Sequence, residues 1–173
     1  LLLFAMTGGE PQRLCTLMNA GATTGEQALG FFYSEAGNWF RDEIEASLMN
    51  EYRLEAPANV QILRAIASGV TRWGEIQAAT PARISPYMKR LEDFGLVRSI
   101  RPLFEHQTGR QVRYMVADPG LRFWLRLFSP MQLRTLAEAK HWDDLKHYVR
   151  AGLPKFLQPT LEEWLRADLM EEG

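Results

Sequence analysis

The spacing of apolar positions divides this chain of 173 residues into a helical opening, a central helix-and-hairpin pattern and a helical close. Near the start, Pro11 suits the first position of a helix, where a missing N–H costs nothing, and Leu14, Leu17 and Met18 then share one face. A loop of Gly21, Ala22, Thr23, Thr24 and Gly25 precedes a short apolar helix to about Tyr33. Asn38 reads as the N-cap of a helix to about Tyr52, with Phe40, Ile44 and Leu48 at helical spacing.

The centre carries the more specific pattern. Pro57 opens a helix in which Val60, Leu63, Ile66 and Ala67 are spaced for burial, and Ser68 and Gly69 close it. Trp73 to Ala79 makes a second, short helix with Ile76 inward. Thr80, Pro81 and Ala82 form a turn into a third helix from about Arg83 to Phe94, which buries Ile84, Tyr87 or Met88, and Leu91. Gly95 suits the left-handed position that ends helices. The period then changes from helical to alternating, giving strands over 96–101 and 111–116 around a polar turn at 105–109. The fold class expected is mainly α: a winged helix-turn-helix of three helices plus a β-hairpin at 57–118, flanked by helical segments at 1–56 and 119–173.

Asp118 and Pro119 end the hairpin, and an aromatic helix with Leu121, Phe123, Trp124, Leu125, Leu127 and Phe128 follows. Two more helices are expected over about 131–150 and 159–171. Phe123, Trp124 and Phe128 read as one stripe for core or domain-interface packing. If a neighbouring domain is missing, part of that stripe would be exposed and would drive homo-oligomers.

Charge sharpens this division. Residues 1–56 hold three arginines against eight acids, 57–118 hold nine Lys/Arg against five acids, and 119–173 hold eight of each. Only the central block suits a polyanion electrostatically. Hydrophobic residues at 46% and charged residues at 24% place the chain among globular proteins rather than disordered ones. No apolar run reaches the length of a membrane span, and the single Cys15 excludes an internal disulfide, so a cytoplasmic protein without a membrane partner is expected. The chain opens at Leu1 in mid-pattern, which points to a piece of a larger protein.

In a helix-turn-helix the second helix of the motif enters a major groove. Here that helix offers Arg83, Ser85, Tyr87, Lys89 and Arg90 to duplex DNA: arginine for bidentate guanine contact, the others for phosphate. The wing adds His106, Gln107, Thr108, Arg110 and Arg113. Glu92 and Asp93 offset Lys89 and Arg90, which keeps open a protein-binding role for the same domain. His106, His141 and His147 form no metal or catalytic set, so neither a catalytic residue nor a metal site is assigned.

Several runs recur together elsewhere: Thr7, Gly8, Gly9, Glu10, Pro11; Ile62 through Gly69; Met88 through Val97; and Asp118, Pro119, Gly120, Leu121, Arg122, Phe123, Trp124. In this order they resemble the C-terminal half of archaeal-type P-loop ATPases of the STAND class. The resemblance implies that 1–56 is lid-like, with Gly9 and Pro11 in the Gly-x-Pro turn beside bound adenine. It implies ATP and magnesium as cofactors of the parent protein, and the missing ATPase domain as a partner. No Gly-x4-Gly-Lys-Ser/Thr phosphate loop occurs here, so the chain alone is expected to be neither an ATPase nor otherwise an enzyme, and to hold no cofactor. Family members continue into a nuclease-like domain whose first helix carries a metal-associated glutamate; the segment 152–165 looks like its start, with Glu162 or Glu163 in that place. The rival expectation is an interaction or autoinhibitory module that docks on the ATPase core without touching DNA.

Overall fold

The computed structural model describes residues 1–38, 42, 46, 57–100 and 112–171, the side chains of 159, 163, 164 and 166–171 excepted. It is mainly helical, with one two-stranded antiparallel sheet. The chain forms two compact units, one of residues 1–43 with 119–173, the other of residues 44–118. The first quarter and the last third of the sequence therefore share one core.

In that first unit, α1 (Leu2–Thr7) turns at Gly8 and Gly9 into α2 (Pro11–Asn19), with Pro11 at the start of the helix. Leu17 is buried and Leu14 half-buried, but Met18 is exposed, so the face read from the sequence is narrower than expected. A capping box starts α3 (Gly25–Phe32): the Thr24 hydroxyl accepts from the Gln27 backbone N–H at 3.2 Å, and the Gln27 side-chain Oε1 accepts from the Thr24 backbone N–H at 3.0 Å. A single 3-10 turn (Glu35–Gly37) follows. Asn38, read as an N-cap, itself has helical dihedrals (φ −55, ψ −51), whereas a cap residue is normally extended. Phe40, Ile44, Leu48 and the end of that expected helix lie outside the described residues.

The remainder of the unit is α7 (Pro119–Leu127), α8 (Met131–Glu138) and α9 (Trp142–Glu171). Instead of one stripe, α7 is buried nearly all round: Leu121, Arg122, Phe123, Trp124, Leu125 and Leu127 are all inside. The reason is that α1 and α9 pack on it from different sides. Gly120 permits the approach of α1, since a Cβ there would stand 2.9 Å from the Met6 carbonyl oxygen. On another side, Arg122 donates to the buried Thr160 hydroxyl of α9 at 2.7 Å. At the centre, the Phe32 ring makes edge contacts with Tyr33, Phe123 and Phe128 at centroid distances of 5.3, 5.2 and 5.2 Å, and Phe123 contacts Phe156 at 5.5 Å.

Helix α9 differs most from expectation. The sequence reading places two helices here, over about 131–150 and 159–171, although Gly152, Pro154 and Pro159 are residues that disfavour helix interiors. The structure instead breaks at 139–141 and runs unbroken from Trp142. Leu145, Val149, Leu153, Phe156 and Thr160 form one buried stripe through the prolines. Burying four apolar side chains contributes about 1.5–3 kcal/mol each, which offsets the roughly 3 kcal/mol cost of an interior proline.

In the second unit, α4 (Pro57–Ala67) packs against α5 (Trp73–Ala79), α6 (Ser85–Asp93) and the sheet. Its buried positions include Ile62 and Asn59 as well as Leu63, Ile66 and Ala67, while Val60 is only half-buried. Helix α6 buries Ile84, Met88 and Leu91, which places Met88 rather than Tyr87 inward. After it, Gly95 adopts φ +68; its N–H donates to the Glu92 carbonyl and that of Leu96 to the Leu91 carbonyl, both at 2.9 Å. Strands β1 (Val97–Ile100) and β2 (Arg113–Val116) pair antiparallel, Val97 opposite Val116 and Ile100 opposite Arg113.

Candidate nucleic-acid interface

The outward residues of α6 are set by its periodicity. With Ile84, Met88 and Leu91 inside, Ser85, Lys89 and Arg90 must face outward, and all three are exposed. Tyr87 is half-buried between the two faces. Arg83, read as the first residue of this helix, lies in the preceding turn and is exposed. The helix starts later than expected because Pro86 occupies its first turn and Gln77 takes the backbone at Ile84.

Gln77, on the preceding helix, was not singled out by its sequence context. Its amide nitrogen donates to the Ala82 carbonyl at 3.0 Å, and its amide oxygen accepts from the Ile84 N–H at 3.1 Å. Both ends of one side chain thus hold the turn that aims α6. A glutamine within a short amphipathic helix has no distinctive signal until the turn folds back on it.

Arg90 lies over the ring of Phe94, 5.3 Å from its centroid, and Phe94 is 44% exposed. Glu92 and Asp93 are exposed at the same end of α6, as the sequence implied. The outward face of the helix therefore runs from Ser85 and Lys89 to an acidic and aromatic tip.

The sheet adds a second charged surface. Besides the hairpin, Arg72 forms an antiparallel bridge with Arg113, and the Tyr114 N–H donates to the Thr71 carbonyl at 2.8 Å. Directly opposed residues share a face and alternate residues return to it, so Arg72, Arg98 and Arg113 lie on one side of the sheet. All three are exposed, though enough protein surrounds Arg98 for desolvation to lower its pKa. Tyr114 lies on the opposite side, its ring 5.8 Å from that of Trp73. Burial, and then the charge of Glu92, push its phenol above the ordinary value. Arg72 and Arg98 were not among the expected site residues; pairing of Arg72 with Arg113 spans the whole motif and has no local signature.

Of the expected wing contacts, Arg113 is exposed on β2, whereas His106, Gln107, Thr108 and Arg110 lie outside the described residues. Gly9 and Pro11 belong to the other compact unit. There Gly9 donates to the Thr7 hydroxyl at 3.2 Å and rests on the Phe4 ring, where a Cβ would approach to 3.0 Å. Glu162 is exposed and accepts from Gln158 at 3.1 Å; the Glu163 side chain lies outside the described residues. Among the described residues, no three His, Cys, Asp or Glu side chains converge as a metal site, and no helix is long and apolar enough to cross a membrane. In comparisons with protein-family models, curated proteins and solved structures, none matches the chain.

Proposed function

We propose that residues 57–118 are a winged helix-turn-helix that binds duplex DNA, with α6 in the major groove and the hairpin along the backbone. The observation that carries this reading is the outward set Ser85, Lys89 and Arg90 on a helix whose other face is locked by Ile84, Met88 and Leu91. The short strand at Arg72 supports it, because a bridge ahead of α5 makes the order helix, strand, helix, helix, hairpin. The excess of basic residues in this segment supplies sequence-independent attraction. We further place this region in a STAND-type ATPase, on the sequence resemblance alone; ATP and magnesium would act in the parent's phosphate-binding half and reposition the domain.

The test is binding of mixed-sequence duplex DNA, followed by fluorescence anisotropy at two salt concentrations. Affinity is expected to fall steeply with salt and to weaken when Arg83, Lys89 and Arg113 become Ala. Absence of binding at low salt would sink the proposal. A second reading, a protein-docking or autoinhibitory module, is favoured by one observation: exposed Phe94 beside Glu92 and Asp93 at the tip of α6. In that case Phe94→Ala would abolish association with the ATPase core, and the wild-type chain would bind no duplex DNA.

A further inference from the structure

Arg72 and Arg113 stand directly opposite each other across an antiparallel bridge. The Tyr114 N–H donating to the Thr71 carbonyl makes them a non-hydrogen-bonded pair, the kind in which side chains come closest. Like charges so placed repel, and the repulsion disfavours the fold unless something anionic lies between them. Arg98 sits on the same face, on the diagonal from Arg113 through the Arg98–Met115 and Ile100–Arg113 pairs. Diagonal neighbours stand roughly 7–8 Å apart, within reach for long side chains. The three arginines thus come from three separate stretches of backbone onto one face of the sheet, and each is exposed.

We propose that this face is a phosphate clamp, in which Arg72 and Arg113 grip one backbone phosphodiester of a nucleic acid and Arg98 reaches an oxygen of the same or the next phosphate. A tetrahedral phosphate offers several acceptor oxygens, and the planar guanidinium fork is suited to bind two at once. Charge complementarity selects the occupant: a repeating line of phosphates matches a row of arginines spread across strands. The clamp rests on the nucleic-acid reading above but uses a different surface from α6. It holds the backbone without reading bases, so it supplies affinity and register while α6 supplies sequence preference.

The test uses the 173-residue chain, two duplexes of unrelated sequence, and inorganic pyrophosphate as a small probe. The Arg72→Gln/Arg113→Gln variant is expected to bind both duplexes roughly tenfold more weakly, by the same factor, with a salt slope shallower by about one to two. Arg72→Lys/Arg113→Lys should keep the slope while losing part of the affinity, since charge remains but the fork is gone. Wild-type affinity and slope in the Gln variant, or a loss confined to one duplex, would overturn the clamp and leave the α6 reading standing. If the wild type binds neither duplex, the nucleic-acid reading fails, and thermal melting with pyrophosphate decides the clamp separately. A rise in melting temperature in the wild type that the Gln variant lacks supports a phosphate site, and no rise removes it. Circular dichroism of each variant checks that the fold is intact.

Discussion

The side chain of Gln77 accepts a hydrogen bond from the backbone N–H of Ile84 at 3.1 Å, so one residue of α5 sets where α6 begins. The other end of the same amide donates to the Ala82 carbonyl at 3.0 Å. Both bonds are partly buried, and losing them leaves two backbone groups unpaired. Gln77→Ala should cost about 1–3 kcal/mol by urea denaturation. On the DNA reading it should also weaken duplex binding. Gln77→Glu keeps the acceptor toward Ile84 but loses the donor, so its stability should fall between the two; equality with wild type would discount the Ala82 bond.

Two glycines should respond oppositely to alanine. At Gly120 a Cβ would meet the Met6 carbonyl oxygen and the Thr7 carbonyl carbon at 2.9 Å each, both of them backbone that cannot swing aside. Gly120→Ala should therefore destabilise by about 1–3 kcal/mol as α1 is pushed from α7. At Gly74, inside α5, nothing lies within 4 Å of the added carbon. Gly74→Ala should stabilise by about 0.5–1 kcal/mol through the lost entropy of the unfolded chain. Thermal melting of the two variants checks both signs.

Phe32 is the hub of its core, with three edge-on ring partners. Phe32→Ala should cost about 3–5 kcal/mol, from lost transfer energy plus the cavity left behind. Phe32→Leu should cost less, retaining much of the buried area while losing the aromatic edge contacts. Chemical denaturation of both variants measures the difference.

Lys140 adopts φ +58, a left-handed conformation, and ion-pairs with Glu35. A hydrogen bond from Lys140, and then its charge, hold the Glu35 carboxyl below its ordinary 4.5. Below that value the unfolded chain binds more protons than the folded one, so the pair's contribution is present above pH 4.5 and lost as pH falls through the lower folded pKa. Lys140→Gly should raise the Glu35 midpoint, read by carboxyl NMR titration, toward 4.5. It also relieves roughly 1–2 kcal/mol of left-handed strain. The substitution should therefore look most stabilising at acid pH, where the pair is already broken. A benefit independent of pH would show that the pair contributes nothing.

The end of α6 was legible in the sequence alone, since Gly95 is the residue type that a left-handed C-terminal turn prefers, and the change from helical to alternating period marked the hairpin after it. Helix α8 ends in the same pattern of bonds, with the Lys140 N–H donating to the Ala137 carbonyl at 3.0 Å and that of His141 to the Leu136 carbonyl at 2.8 Å, but around a lysine. No local preference announces that, and the expected helix ran on to residue 150. Pro154 is the converse: a local breaker that the core overrides by burying Leu153 and Phe156 on either side. The outward cations Lys89 and Arg90 were likewise readable, because the period of one helix separates its faces. The meeting of Arg72 with Arg113 and the hold of Gln77 on Ile84 were not. Local sequence records propensity and periodicity, whereas strand pairing and side-chain contacts across a turn exist only once distant segments have packed.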